Sequence, residues 1–255
     1  MIKIKTTLII SSIFFVFSSA YAQKEVDSFK PSQGSTGIVF NVSGIVSNIN
    51  LSPSADPFGN NLLLGRHYLR DQHVIRVGLG ITSSNDKVSL IDSVGSLQRT
   101  LDSTYKKFNF YLTPGYEFHF LEGKRLDPYI GGSLNFGLLG KTKYTTTEDL
   151  TDTTGTNNTE ISYQKEGGFL FGANAIVGFN YFVVPNLAIG AEYALGFYSV
   201  RDGGDWEKVT VINPVSGNST SKREVGTERT ALSGFNTSNK VSITLSYYFG
   251  QGKKD

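Results

Sequence analysis

The stretch NKVSITLSYYFG at residues 239–250 places Val241, Ile243, Leu245, Tyr247 and Phe249 on one face and Ser242, Thr244, Ser246 and Tyr248 on the other. An apolar–polar period of two belongs to an extended strand, whose side chains alternate across a sheet. A helix repeats every three or four residues and does not fit. Upstream, NLAIGAEYALGFYSV at 186–200 sets Leu187, Ile189, Ala191, Tyr193, Leu195 and Phe197 against Ala188, Gly190, Glu192, Ala194 and Gly196. The same reading extends to 167–182 (GGFLFGANAIVGFNYF), where Leu170 and Ile176 break the alternation, and to 128–139 (PYIGGSLNFGLL), 107–120 (KFNFYLTPGYEFHF) and 73–83 (HVIRVGLGITS). Residues 37–49 and 60–69 are apolar on both faces, so their parity is open.

These segments predict eight strands, and the connections between them alternate in length. Short turns are expected at 69–72, 121–127 and 183–186. Long polar loops rich in Ser, Thr, Asn, Asp and Gly are expected at 50–59, 83–106, 142–163 and 202–238. Short turns at one end and long loops at the other are the pattern of a transmembrane β-barrel, with turns toward the periplasm and loops outward. Pro114 cannot donate to a sheet ladder, which predicts a local bulge with Gly115 taking up the bend.

The polarity of the two faces separates a membrane barrel from a soluble one. One face carries Phe, Tyr, Leu, Ile and Val almost without charge. The other carries Gly, Ser, Thr, Asn and a few ions, which suits a narrow lumen, while bulky apolar groups suit lipid. Aromatics gather toward strand ends, with Phe118, Phe120, Phe179, Tyr181, Tyr247 and Phe249 at one end and Phe108, Phe197 and Tyr198 at the other, as two interfacial girdles would. The fold class expected is therefore all-β, an eight-stranded antiparallel up-and-down transmembrane β-barrel.

Residues 1–22 read as a secretory leader: Lys3 and Lys5, then LIISSIFFVF at 8–17, then Ala20-Tyr21-Ala22 before Gln23. The apolar stretch is too short for a helical span, which needs about 20 residues. The organisation that follows is a signal peptide at 1–22, a periplasmic segment at 23–34, a barrel at 35–249 and a periplasmic tail at 250–255. Without Lys3 and Lys5 the 24 basic residues become 22, against 22 acidic ones, which offers no basis for nucleic-acid binding. The absence of cysteine excludes disulfides and thiolate chemistry.

The turn and strand YFVVPNLAIGAEYALGF from Tyr181, the block TPGYEFHF from Thr113 leading into DPYIGGSLNFG from Asp127, and the terminal SYYFG together resemble the outer-membrane protein A-like and opacity-type β-barrel family, in particular its single-barrel "porin-family" members. The resemblance covers most of the mature chain and implies a fold more than a function, because the family includes passive scaffolds and adhesins. The chain stops six residues after Phe249, so the peptidoglycan-binding domain of outer-membrane protein A itself is not expected.

Inward-pointing charge is the sharpest candidate feature. Arg76, Glu117 and Glu192 fall on the small, polar face, and Arg66 joins them in the register favoured for its strand. Unpaired buried charges are costly, so the four are expected to pair as an ionic cluster plugging the lumen, a structural role. His67, His73 and His119 sit near the same rim, but only His119 points clearly inward and His73 clearly outward, so no metal site is expected. No His has a Ser neighbour that would make a hydrolase pair, so no catalytic residue is assigned. Asp92-Ser93-Val94, Asp102-Ser103-Thr104 and Asp152-Thr153-Thr154 resemble an O-glycosylation sequon of Bacteroides-type bacteria, which marks Ser93, Ser103 and Thr153. The function expected is that of a non-enzymatic outer-membrane scaffold or surface-binding protein, without cofactor. A narrow pore or transporter of small solutes is the alternative, and a lipid-modifying barrel enzyme a weaker one. The expected partners are outer-membrane lipid and lipopolysaccharide, the barrel-assembly machinery, and an unknown surface ligand of the loops.

Overall fold

A computed structural model describes residues 29–43, 50–55, 61–237 and 241–250; the leader at 1–22 and the tail beyond Gly250 lie outside the described residues. The chain forms β1 (Thr36–Ser43), β2 (Asn50–Ala55), β3 (Asn61–Arg70), β4 (His73–Val94), β5 (Leu97–His119), β6 (Leu126–Leu139), β7 (Thr142–Asp152), β8 (Gly155–Lys165), β9 (Gly168–Val184), β10 (Leu187–Asn213), β11 (Thr220–Thr237) and β12 (Ser242–Phe249). The sheet is antiparallel, with β12 paired to both β1 and β10. The pairings β1–β3–β4–β5–β6–β9–β10–β12–β1 therefore return on themselves as a ring of eight strands.

Twelve described strands replace the eight expected, because the segments read as polar loops are themselves strands. β4 and β5 run on, in unbroken register, to a two-residue turn between Val94 and Leu97, where Gly95 takes a φ of 62°. β7 and β8 form a second hairpin that joins β5 on one side to β10 on the other. β11 pairs along the far half of β10 from Ile212 to Leu195. In the region 50–59, residues 50–55 form β2 against β1 and β3. Ser and Thr content suggested loops, but Thr, Val, Ile and Tyr are also good strand formers once a neighbouring ladder is available. Above the ring the result is one continuous sheet in the order β4-β5-β7-β8-β10-β11.

Side-chain parity within the ring follows the alternation in the sequence. Ile75, Val77, Leu79 and Ile81 on β4 point outward and are exposed, while Val74 and Arg76 are buried inside. Outward Phe169, Phe171, Val177, Phe179 and Tyr181 on β9 are opposed by buried Leu170, Asn174, Ile176, Asn180 and Phe182. Leu170 and Ile176, the two breaks in the alternation, are thus apolar fillers of the interior. The open parity of β1 and β3 resolves with Val39, Leu62, Leu64, Arg66 and Tyr68 inside.

Register also decides what fits. Across neighbouring strands Arg76 stands opposite Gly115, Glu117 opposite Gly131, Tyr129 opposite Gly178, Asn180 opposite Gly190 and Tyr248 opposite Gly37. Each long inward side chain crosses space that a Cβ would close: one on Gly178 would lie 2.6 Å from the Tyr129 ring, and one on Gly115 2.8 Å from Arg76 Cγ. A narrow closed sheet is filled in this way, by alternating large and small residues.

The bulge expected at Pro114 is absent. β4 pairs Val77 with Pro114 in unbroken register, and β5–β6 keeps one register from Asn109↔Leu139 to His119↔Tyr129. Only the pairs 113–135 and 114–134 are missing from that ladder. Both depend on the N–H that proline lacks, so Pro114 costs a hydrogen bond without inserting a residue.

Gly178→Val should lower stability by about 1–3 kcal/mol through overpacking against Tyr129. Gly65→Ala, whose nearest atoms lie 3.8 Å from the added carbon, should change it little. Urea midpoints of the refolded chain in detergent check this, and equal midpoints would contradict the packing account.

Candidate functional site

The ring's interior at the short-turn end is a charged network. Arg66 on β3 donates from Nε to Glu117 (3.0 Å), from Nη1 to Asn180 Oδ1 (3.2 Å) and from Nη2 to Tyr129 OH (2.7 Å) and Glu192 Oε2 (3.3 Å). Arg76 on β4 donates from Nη1 to Glu117 Oε1 (2.8 Å) and, through Nη1 and Nη2, to both oxygens of Glu192 (2.9 and 3.1 Å). Tyr129 OH donates to Glu192 Oε2 at 2.8 Å, and the Arg66 guanidinium lies 4.8 Å from the Tyr129 ring centroid. Arg66 and Arg76 face each other directly across β3 and β4. Two like charges in such a pair repel, so shared bridging by Glu117 and Glu192 is what makes the arrangement tolerable.

The network continues toward the rim. His119 Nε2 lies 3.2 Å from Glu117 Oε2 and Nδ1 lies 2.6 Å from Asp127 Oδ2. Ionised carboxylates only accept, so with both ionised the two ring nitrogens both donate and the ring carries a charge. The imidazole stacks on Tyr129, with centroids 5.0 Å apart. Lys30, from the segment before β1, donates to Asp127 Oδ1 (2.9 Å) and to the Leu121 carbonyl (2.6 Å). Beside it Phe29 packs on buried Tyr68, Val74, Phe182, Ala188 and Tyr248, and the Arg125 guanidinium lies 3.9 Å from the Phe29 ring centroid. Gln33 N–H donates to Asp71 Oδ1 and Gly34 N–H to the Tyr68 carbonyl, which fixes the segment across the mouth.

The structure brings Arg66, Arg76, Glu117 and Glu192 into one cluster. Sequence reasoning missed Lys30, Asp127, Asn180 and the position of Tyr129 between the arginine and the acid. Tyr129 and Asn180 had inward parity, which was a usable signal. Lys30 lies in an aperiodic stretch and Asp127 falls at the edge of an expected turn, so neither carried one. The three histidines do not converge: His67 Nδ1 meets Thr36 Oγ1 at 2.9 Å and His73 meets the Tyr116 hydroxyl. Among the described residues no group of three or more His, Cys, Asp or Glu is placed to hold a metal.

The three sequon residues differ in setting. Ser93 is exposed near the β4–β5 tip, and Thr153 is exposed in the β7–β8 turn. In that turn the Thr154 hydroxyl and N–H donate to Asp152 Oδ1 and hold its carboxyl below the usual range. Ser103 lies within β5, its hydroxyl engaged with Thr146 and Tyr144 at 3.3 and 3.4 Å.

Neither family models nor curated proteins match this chain. Among solved structures, a major outer membrane protein from Thermus thermophilus aligns over 86% of this chain and 99% of its own, with 13% identity and a TM-score of 0.34. At that score the likeness carries no argument about this chain.

Removing one partner of a buried ion pair strands the other. Glu117→Gln should cost about 3–5 kcal/mol of stability, because it leaves two arginines short of a counter-charge. Urea denaturation in detergent reads this out, and a loss under about 1 kcal/mol would mean the network is not dry or not formed.

Proposed function

We propose that this chain is an integral bacterial outer-membrane protein whose ring of eight strands is a transmembrane β-barrel, occluded at its short-turn end, serving as a non-enzymatic envelope scaffold that presents a tall sheet for surface binding. The observation that carries the reading is the inverted polarity of the ring. Leu63, Ile81, Leu138, Phe171, Leu195 and Tyr247 are all more than a third exposed, while Arg66, Glu117, His119 and Asp127 are at most 1% exposed. Water outside would favour the opposite arrangement, and hydrocarbon outside favours this one. From Phe169 to Val183 the outward face of β9 is about 48 Å of strand, or roughly 36 Å of height at a tilt of ~40°, enough to cross an apolar band of ~25 Å with its girdles.

In this reading the short turns, the start of β1 and the end of β12 face the periplasm and the tall sheet faces outward. The resemblance to outer-membrane protein A-like barrels supports it, as does the leader. Lipid and lipopolysaccharide are then the surroundings, and assembly machinery a transient partner. The buried network and the Phe29–Lys30 plug support a structural role for Arg66, Arg76, Glu117 and Glu192 rather than a catalytic one. Glycosylation, where it occurs, is favoured at exposed Ser93 and Thr153 over Ser103, and intact mass from the native host tests it.

A second reading, a narrow pore, is favoured by Thr113, Asn135 and Asn174, whose buried polar atoms without protein partners suit an upper lumen that holds water. Two measurements separate the possibilities. Unboiled protein in detergent should run as a compact species that shifts on boiling, because a closed ladder has no edge from which to unzip; no shift from folded protein would overturn the barrel. In planar bilayers the chain should be electrically silent, and discrete salt-dependent steps would favour the pore.

A further inference from the structure

Where the outward apolar band ends on the tall side of the ring, positive charge begins at once. On β4 outward Ile81 is followed by Ser83 and Asn85, which pair with Phe108 and Lys106 of β5. On β6 Leu138 is the last outward apolar residue, and exposed Lys141 follows just beyond the end of the strand. Lys106 in turn stands directly opposite Lys143 of β7. Three exposed lysines thus converge one step beyond Phe108, and Lys87 is the next outward residue on β4 after Asn85. Lys106, Lys141 and Lys143 line a recess of about 360 Å³ together with Ser83, Ser84, Asn85, Lys107 and Phe108.

The charges in this recess are only partly balanced by the protein. Lys141 pairs with Glu166 at 2.7 Å, but among the described residues Lys106 and Lys143 have no hydrogen-bond or ion-pair partner. Lys107, one residue on, also lines the recess, but its ammonium binds Asp202 at 3.0 Å. Nor is there a carboxylate on the outward face of β4, β5 or β7 between Ile81 and Lys87, Phe108 and Thr104, or Lys143 and Thr145. Ammonium groups directly opposite on neighbouring strands repel. An anion seated between them would remove that repulsion, and the hydroxyl of Ser83 and amide of Asn85 add neutral donors.

We propose that Lys106, Lys141 and Lys143 bind the phosphate headgroup of a lipid in the leaflet around the long-strand end of the ring, with Phe108 against the start of its acyl region. This rests on the membrane reading, since only a bilayer wall would hold such a headgroup at the edge of the apolar band. Phosphate chemistry alone would also accept free phosphate. Position is what selects the lipid: Phe108, 53% exposed at the end of the apolar wall, lines the recess beside the lysines.

The test uses the full chain in neutral detergent, titrated with phosphorylated lipid A, with its dephosphorylated form and with inorganic phosphate, and read by native mass spectrometry. Lys106→Gln/Lys143→Gln is compared with the wild type and with Lys222→Gln, an exposed lysine of β11. At about fivefold per lysine near an anionic surface, the double variant should bind phosphorylated lipid A roughly 25-fold more weakly, while Lys222→Gln should match the wild type. Equal binding by the double variant, or by the dephosphorylated lipid, would overturn the proposal. Inorganic phosphate competing as well as the lipid would overturn it in favour of a free-anion site. A boiled-against-unboiled gel on each sample keeps the two levels apart: protein that never shows a compact form sinks the membrane reading itself, whereas heat-modifiable protein without preference for the phosphorylated lipid sinks only this site.

Discussion

The pairing of β12 with both β1 and β10 is the contact on which the remaining structure depends. β12 makes six residue pairs to each neighbour, from Thr36↔Phe249 to Asn41↔Thr244 and from Leu187↔Tyr247 to Glu192↔Ser242. Once the sheet returns on itself, every inward side chain shares one confined volume with all the others, and fit becomes a property of the whole ring. Gly37 then has to lie against Tyr248, Gly178 against Tyr129 and Gly115 against Arg76, because each large group has nowhere else to go. An open sheet with the same strands would place no such demand on those glycines. Closure also removes the unpaired strand edges that would otherwise invite aggregation.

Closure explains why charge can be kept inside. Each ion taken from water costs several kcal/mol, and only good geometry with further hydrogen bonds offsets this. Arg66, Arg76, Glu117 and Glu192 largely meet that condition by bridging β3, β4, β5 and β10, with Tyr129 of β6 and Asn180 of β9 adding hydrogen bonds and only Arg76 Nε and Asn180 Nδ2 left over. A network touching six strands is satisfied only in one register, since a slip of one residue would turn its members outward. Its contribution is therefore better understood as selecting the register than as adding net stability. Lys30 extends the same logic to the N-terminal segment, which reaches Asp127 and so ties the mouth to β6.

What could be read from the sequence follows from what periodicity encodes. Alternation along β9, β10 and β12 gave the facing of nearly every residue, and the parity of Arg76, Glu117 and Glu192 placed three charges inside before any pairing was known. β1 and β3 were ambiguous because Val39, Leu62 and Leu64 are apolar residues inside a largely polar lumen, filling volume that smaller groups would leave empty. The upper strands were illegible for a different reason: in TKYTTTEDLTD both faces of β7 carry mostly polar residues, so no apolar alternation marks the strand. Their order comes from pairing, which a single segment cannot show. Lys30 was hidden because its position is set by the mouth it closes and by no local pattern.

That the upper segments are strands and not loops changes what the long-strand end can do. A flexible loop must be ordered when it binds, and the lost freedom of each side chain weakens the complex. In β4, β5, β7, β8, β10 and β11 the backbone is already held by ladders, so side chains such as Val88 and Leu90 on β4, or Val225 on β11, are presented in fixed positions. Among the described residues the sheet keeps two edges above the ring, the far half of β4 and the outer side of β11, because β1, β2 and β3 are short. β11 guards its edge with Lys222, Arg223, Glu224, Glu228 and Arg229, a charge density that disfavours strand addition. The β4 edge, with Val88, Leu90 and Ile91 more than half exposed, is guarded less.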